Sequence, residues 1–197
     1  MIPKFLYPFL AYRSLLMPFL VVSAIAVPCW LIFRLYRLRT HGHGLSVPRE
    51  ILLLTFVVYL SGLAAVTLIP NQSPRLRAEA PVGINLDPSR ASLTCSGPTL
   101  AAGSTARAFC VRNARGNVAL FFPLGILLPL VWSNLRFRRG VVIAIAVSLG
   151  IELVQYLSRA WSYRAADIND VVLNVFGAML GLLLVVLPRL RRSSVTD

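Results

Sequence analysis

Five apolar stretches dominate this chain: Ser14–Phe33, Ile51–Ile69, Val118–Trp132, Val141–Leu157 and Ile168–Leu187. Crossing a bilayer core takes about 20 apolar residues as a helix, because lipid offers no partner to an exposed peptide group. Apolar residues make up 57% of the sequence, against roughly 45–50% in soluble domains. The sequence therefore predicts an all-α fold, a polytopic integral membrane helix bundle of about five transmembrane helices. The third and fourth stretches are short and need their flanks to complete a crossing. Arg13 precedes the first stretch as in a signal peptide, but no small-residue cleavage site of the A-x-A kind follows before Arg34. That stretch is read as a span.

The net charge is +13, and nineteen of the twenty basic residues are arginine. They sit between the spans rather than in a stripe with interleaved aromatics, which argues against nucleic-acid binding. Juxtamembrane arginines set orientation and attract anionic lipid heads, so membrane lipids are the first partners expected. RLYRLR, RFRR and RLRR follow the first, third and fifth stretches, on one face if the spans alternate. The positive-inside rule makes that face cytoplasmic, with the N-terminus outside. The other face carries Arg75, Arg77, Arg112 and Arg115, spread thinly over a long loop.

Four regions follow. Residues 1–70 hold two spans and a basic cytoplasmic loop. Residues 71–116 are a hydrophilic extracytoplasmic insertion without helix or strand period, read as a loop or lid. Residues 117–187 form a three-helix core, and 188–197 a basic tail. Cys95 and Cys110 share the insertion, where they either close a disulfide or remain two thiols. Cys29 lies within the first span and reads as a packing residue. Pro123 and Gly125 predict a kink in the third span. Gly177 and Gly181, in G-x-x-x-G spacing, offer a groove for close helix packing.

The apolar pattern is broken by two rows of polar groups. Glu152, Gln155 and Arg159 recur at three and four residues, as do Asp167, Asp170 and Asn174. Each row occupies one face of a helix. Three of the chain's seven acidic residues lie in these rows. A charge at mid-bilayer costs about 2.5–3.5 kcal/mol on insertion scales, whereas an interhelical polar contact contributes about 0.6 kcal/mol. Helix association alone is therefore a poor reason for the rows. If the last two spans form a hairpin about Tyr163, Glu152 faces Asn174, Gln155 faces Asp170, and Arg159 faces Asp167. That is a polar funnel opening on the loop side, with Arg112, Asn113 and Asn117 at its rim.

The segments GNVALFFPLGILLPL, SLGIELVQYLSR and RAADINDVVLNVFGAMLG resemble the signature segments of the VanZ-like membrane proteins, over about residues 112–185. The resemblance implies a bacterial envelope protein of a family linked to teicoplanin resistance. It implies signature polar positions at Asn117, Glu152, Gln155, Arg159, Arg164, Asp167, Asp170 and Asn174, with Gly125, Gly177 and Gly181. The Cys-bearing insertion is a departure from that pattern.

Three functions fit these residues. In the first, the funnel binds a lipid-linked cell-wall precursor or glycolipid, with arginines on phosphate or carboxylate and amides orienting it. In the second, a membrane enzyme uses Glu152 or Asp170 as general acid or base, or holds Mg²⁺ with Glu152, Asp167 and Asp170. The cluster has no His and no nucleophile motif, so no catalytic residue, cofactor or metal site is assigned. In the third, the chain is a scaffold in a larger membrane complex.

Overall fold

The computed structural model describes residues 7–41, 46–69, 84–86, 88, 93–97, 100–158 and 166–193. Among these are five long helices: α1 (Tyr7–His41), α2 (Val47–Leu68), α3 (Thr105–Val131), α4 (Phe137–Leu157) and α5 (Ile168–Ser193). Each is long and apolar enough to cross a membrane. Two short strands, β1 (Ile84–Asn85) and β2 (Ala166–Asp167), pair in parallel with Asn85 beside Asp167. The chain is a multi-pass membrane protein of the all-α class.

It divides into two compact units. The first contains α1 and α2, which run antiparallel. Arg34 of α1 binds the Glu50 carboxylate of α2, with Nε 2.8 Å and 3.0 Å from its two oxygens. Farther along, the Phe19 ring lies against Gly62, where an added Cβ would sit 3.6 Å from it. The α2 hydroxyls of Thr55, Ser61 and Thr67 each donate to the carbonyl four residues earlier. That satisfies them without water. Leu20, Val21, Ile25, Ile32 and Phe33 of α1 are exposed, as a lipid-facing surface would be.

The second unit contains β1, α3, α4, β2 and α5. Helices α3 and α5 run parallel and make its most extensive contact. Their backbones meet at glycines. A Cβ at Gly125 would lie 2.0 Å from the Ala178 carbonyl oxygen, and one at Gly177 would lie 2.3 Å from that of Val118. At Gly181 it would lie 2.2 Å from the Phe122 oxygen. Only residues without a side chain permit this approach. The core beside it holds Phe121, Leu124, Leu128, Ala144, Ala178 and Leu182, all essentially inaccessible. At the other end, Arg189 donates through Nη1 to the Pro129 carbonyl 3.0 Å away. It thereby caps α3, whose last carbonyls have no partner within the helix.

Helix extents differ from the sequence reading, most at α3 and α5. Helix α3 starts at Thr105, not near residue 117, so the end of the hydrophilic insertion is helical. The Ser104 hydroxyl starts it by accepting from the Arg107 N–H at 3.2 Å. The third span is therefore not short: the helix is 27 residues long and continuous through Pro123 and Pro129. Helix α5 likewise runs through Pro188 to Ser193, past the point where a tail was expected. Cys95 and Cys110 are bridged, with their Cα atoms 5.7 Å apart, and Cys29 is free and exposed.

Candidate functional site

The start of α5 sets the site's geometry. Asp167 is the residue before the helix, and its Oδ1 accepts from the Asn169 N–H at 2.9 Å. A carboxylate there satisfies an orphan donor and meets the positive end of the helix dipole. The same oxygen accepts from Asn169 Nδ2 at 2.7 Å and from Asn85 Nδ2 at 3.1 Å. The Asp167 N–H, in turn, donates to Glu152 Oε2 at 2.9 Å. Strand pairing and side chains together thus fasten β1 over the point where α4 meets α5.

Glu152 and Gln155 lie on the buried face of α4, in one row with Ser148 and Ala144. Asn174, one turn into the bundle, donates through Nδ2 to the Ser148 hydroxyl at 3.0 Å. Asp170 faces α3 instead, where Asn113 Nδ2 donates to its Oδ1 at 2.9 Å. Among the described residues, the buried amide atoms without a hydrogen-bond partner include Asn117 Nδ2 on α3 and Asn174 Oδ1 on α5. The α3–α5 contacts pair Asn113 with Asp170 and Val118 with Gly177, so Asn117 and Asn174 stand at about one level. Among the described residues, no group of three His, Cys, Asp or Glu side chains gathers as metal ligands do.

The structure corrects the expected pairings. Asn174 faces Ser148 rather than Glu152, Glu152 meets the Asp167 main chain, and Asp170 bonds to α3. Relative to the reading, α5 has slipped by about one helical turn along α4. With Asn174 on Ser148 and the Asp167 N–H on Glu152, α4 rises above the first turn of α5. Arg159 and Arg164 lie outside the described residues. Arg112 turns to its own helix, its guanidinium 5.7 Å from the Phe109 ring centroid.

Sequence reasoning missed Ser148, Asn169 and Asn85. The first was legible, four positions before Glu152 on the same face. Asn169 was legible too, because Asp-Ile-Asn-Asp ahead of an apolar run is a helix start signal. Asn85 carried no signal.

A family model described as VanZ/LLP1 matches residues 56–189. The chain belongs to the VanZ/LLP1 family. The match takes in the second half of α2, the insertion, α3, α4 and α5 as far as Arg189, so the site just described lies inside the VanZ/LLP1 region. Protein VanZ of Enterococcus faecium is 34% identical over 71 residues, covering 36% of this chain and 42% of that protein. The similarity thus spans less than half of that relative's length. No solved structure matches the chain.

Proposed function

We propose that this VanZ/LLP1 member sits in the cell membrane and binds the polar head of a lipid-linked envelope ligand. The ligand is a cell-wall precursor or glycolipid, held between the outer ends of α3, α4 and α5. The observation carrying this reading is the pair of buried amide atoms, the Asn117 donor and the Asn174 acceptor, left without partners. A buried polar atom without a partner costs about 1–3 kcal/mol, and native structures rarely keep one without a reason. Asn117 follows Asn113, the Asp170 partner, by one turn, and Asn174 bonds to Ser148, one turn before Glu152. A head group bearing hydroxyl or amide functions would supply an acceptor to one and a donor to the other. Asp167 is explained by its helix start and its strand partner, and we assign it to positioning rather than to the ligand.

The family resemblance directs the physiological reading to the envelope and to glycopeptides such as teicoplanin. A deletion strain is expected to change in teicoplanin susceptibility or envelope-stress response. Wild-type protein should restore it, and Asn117→Ala or Asn174→Ala, made at normal abundance, should not. Full restoration by both variants would remove the amides from the binding role.

A further inference from the structure

The helical continuation of α3 beyond the apolar stretch presents a surface on the side away from the polar site. Arg107, Val111 and Arg115 recur every four residues and so share one face, with Arg112 about 100° round from Val111. All three arginines are exposed, and they line a shallow concavity of about 530 Å³ together with Ser104, Ala108 and Val111. Asn113, which holds Asp170, lies about 160° round the helix from Arg115. Arg115 therefore turns away from the Asn113–Asp170 bond.

Depth and composition narrow what can sit there. Counting from Val118, where the apolar stretch begins, Arg115 lies about 4.5 Å, Arg112 about 9 Å and Arg107 about 16 Å along the axis. The head-group layer on each side of a bilayer is about 5–8 Å thick. Arg115 and Arg112 thus reach the depth of lipid phosphates, the long side chains adjusting their height by snorkelling. The disulfide from Cys110 to Cys95 fastens these turns to the insertion.

We propose that this face is a docking surface for an anionic glycerophospholipid of the adjoining leaflet. Arg112 and Arg115 grip the phosphodiester, Arg107 meets the head group from the water side, and Val111 lies between them. Phosphate alone would use the arginines but not Val111 between them. This surface is independent of the ligand proposed for α3, α4 and α5.

The test is lipid retention by the whole protein in nanodiscs of phosphatidylcholine containing a minor fraction of phosphatidylglycerol, read by mass spectrometry of the lipids that remain after exchange. Wild-type protein should retain phosphatidylglycerol preferentially. Each of Arg107→Gln, Arg112→Gln and Arg115→Gln should lower the preference by up to about five-fold at low salt, and the triple variant most. The triple Lys variant should stay near wild type because charge and reach persist. Asp170→Asn, which alters the other site, should leave retention unchanged. The proposal is overturned if the triple Gln variant keeps the wild-type preference while its helix content is intact. It is equally overturned if Lys and Gln triples lose it alike, or if inorganic phosphate at low concentration displaces the lipid.

Discussion

The Glu152 carboxylate accepts a hydrogen bond from the main-chain N–H of Asp167, 2.9 Å away and 15 positions later in the chain. One acid on α4 thereby fixes the residue that starts α5, and with it the direction in which Asp170 and Asn174 enter the bundle.

Glu152→Gln keeps an oxygen for that N–H, so membrane insertion and abundance should stay near normal. Glu152→Ala leaves the N–H without its acceptor and should cost about 1–3 kcal/mol, read as a lower melting temperature in detergent. If the proposed ligand site is right, Glu152→Gln and Asp170→Asn still abolish complementation in the susceptibility assay. Wild-type behaviour of both neutral variants would leave the carboxylates with a purely structural part.

The glycines separate by location. Gly125→Ala and Gly181→Leu drive a side chain into the facing backbone and should lower abundance sharply, since the contact is carbonyl oxygen rather than a flexible side chain. Gly150→Ala, on α4 with nothing within 4 Å, should be neutral or stabilising by up to about 1 kcal/mol. Fluorescence of C-terminal fusions together with thermal melts would rank them. Equal abundance of Gly125→Ala and Gly150→Ala would contradict the packing described.

Orientation is open to direct measurement. The arginine-dense segments predict that reporter fusions after Arg39, Asn85, Arg139 and Tyr163 read inside, outside, inside and outside. An inside signal at Asn85 would reverse the topology.

The bridge has its own chemistry. In non-reduced membranes Cys95 and Cys110 should resist alkylation, while Cys29 reacts once detergent exposes it. Replacing both loop cysteines with serine removes the constraint on a loop of 15 positions, about 3 kcal/mol in the chain-entropy model. Ready labelling of both thiols in the native membrane would exclude the bridge.

What could be read beforehand follows from which forces are local. Hydropathy located all five helices, and the three-to-four spacing put Glu152 and Gln155 on one face of α4. The Gly177–Gly181 spacing marked the groove that α3 fills. Helix ends fared worse. The apolar pattern stops at Val118, but hydrogen bonding continues up to the Ser104 cap in water-facing sequence that hydropathy does not see. The register of α4 against α5 was misjudged because a hairpin centred on Tyr163 ignores stagger. Stagger is set by Asp167 meeting Glu152 and by the glycine contacts of α5 with α3. The pairing of Asn85 with Asp167 joins residues 82 positions apart, and nothing local encodes it.

The parallel contact of α3 with α5 also imposes an order on assembly. A chain emerging from the ribosome presents α3 and α4 before α5 exists, so the faces around Gly125 and Val118 wait in the membrane without their match. Until Asp167 arrives, Glu152 has no main-chain donor from the α5 start. A nascent chain halted before Ala166 would hold Ser148 and Glu152 in lipid without their later partners, the Asn174 amide and the Asp167 N–H. The final helix therefore decides whether the polar groups and glycine faces of the earlier ones find their match.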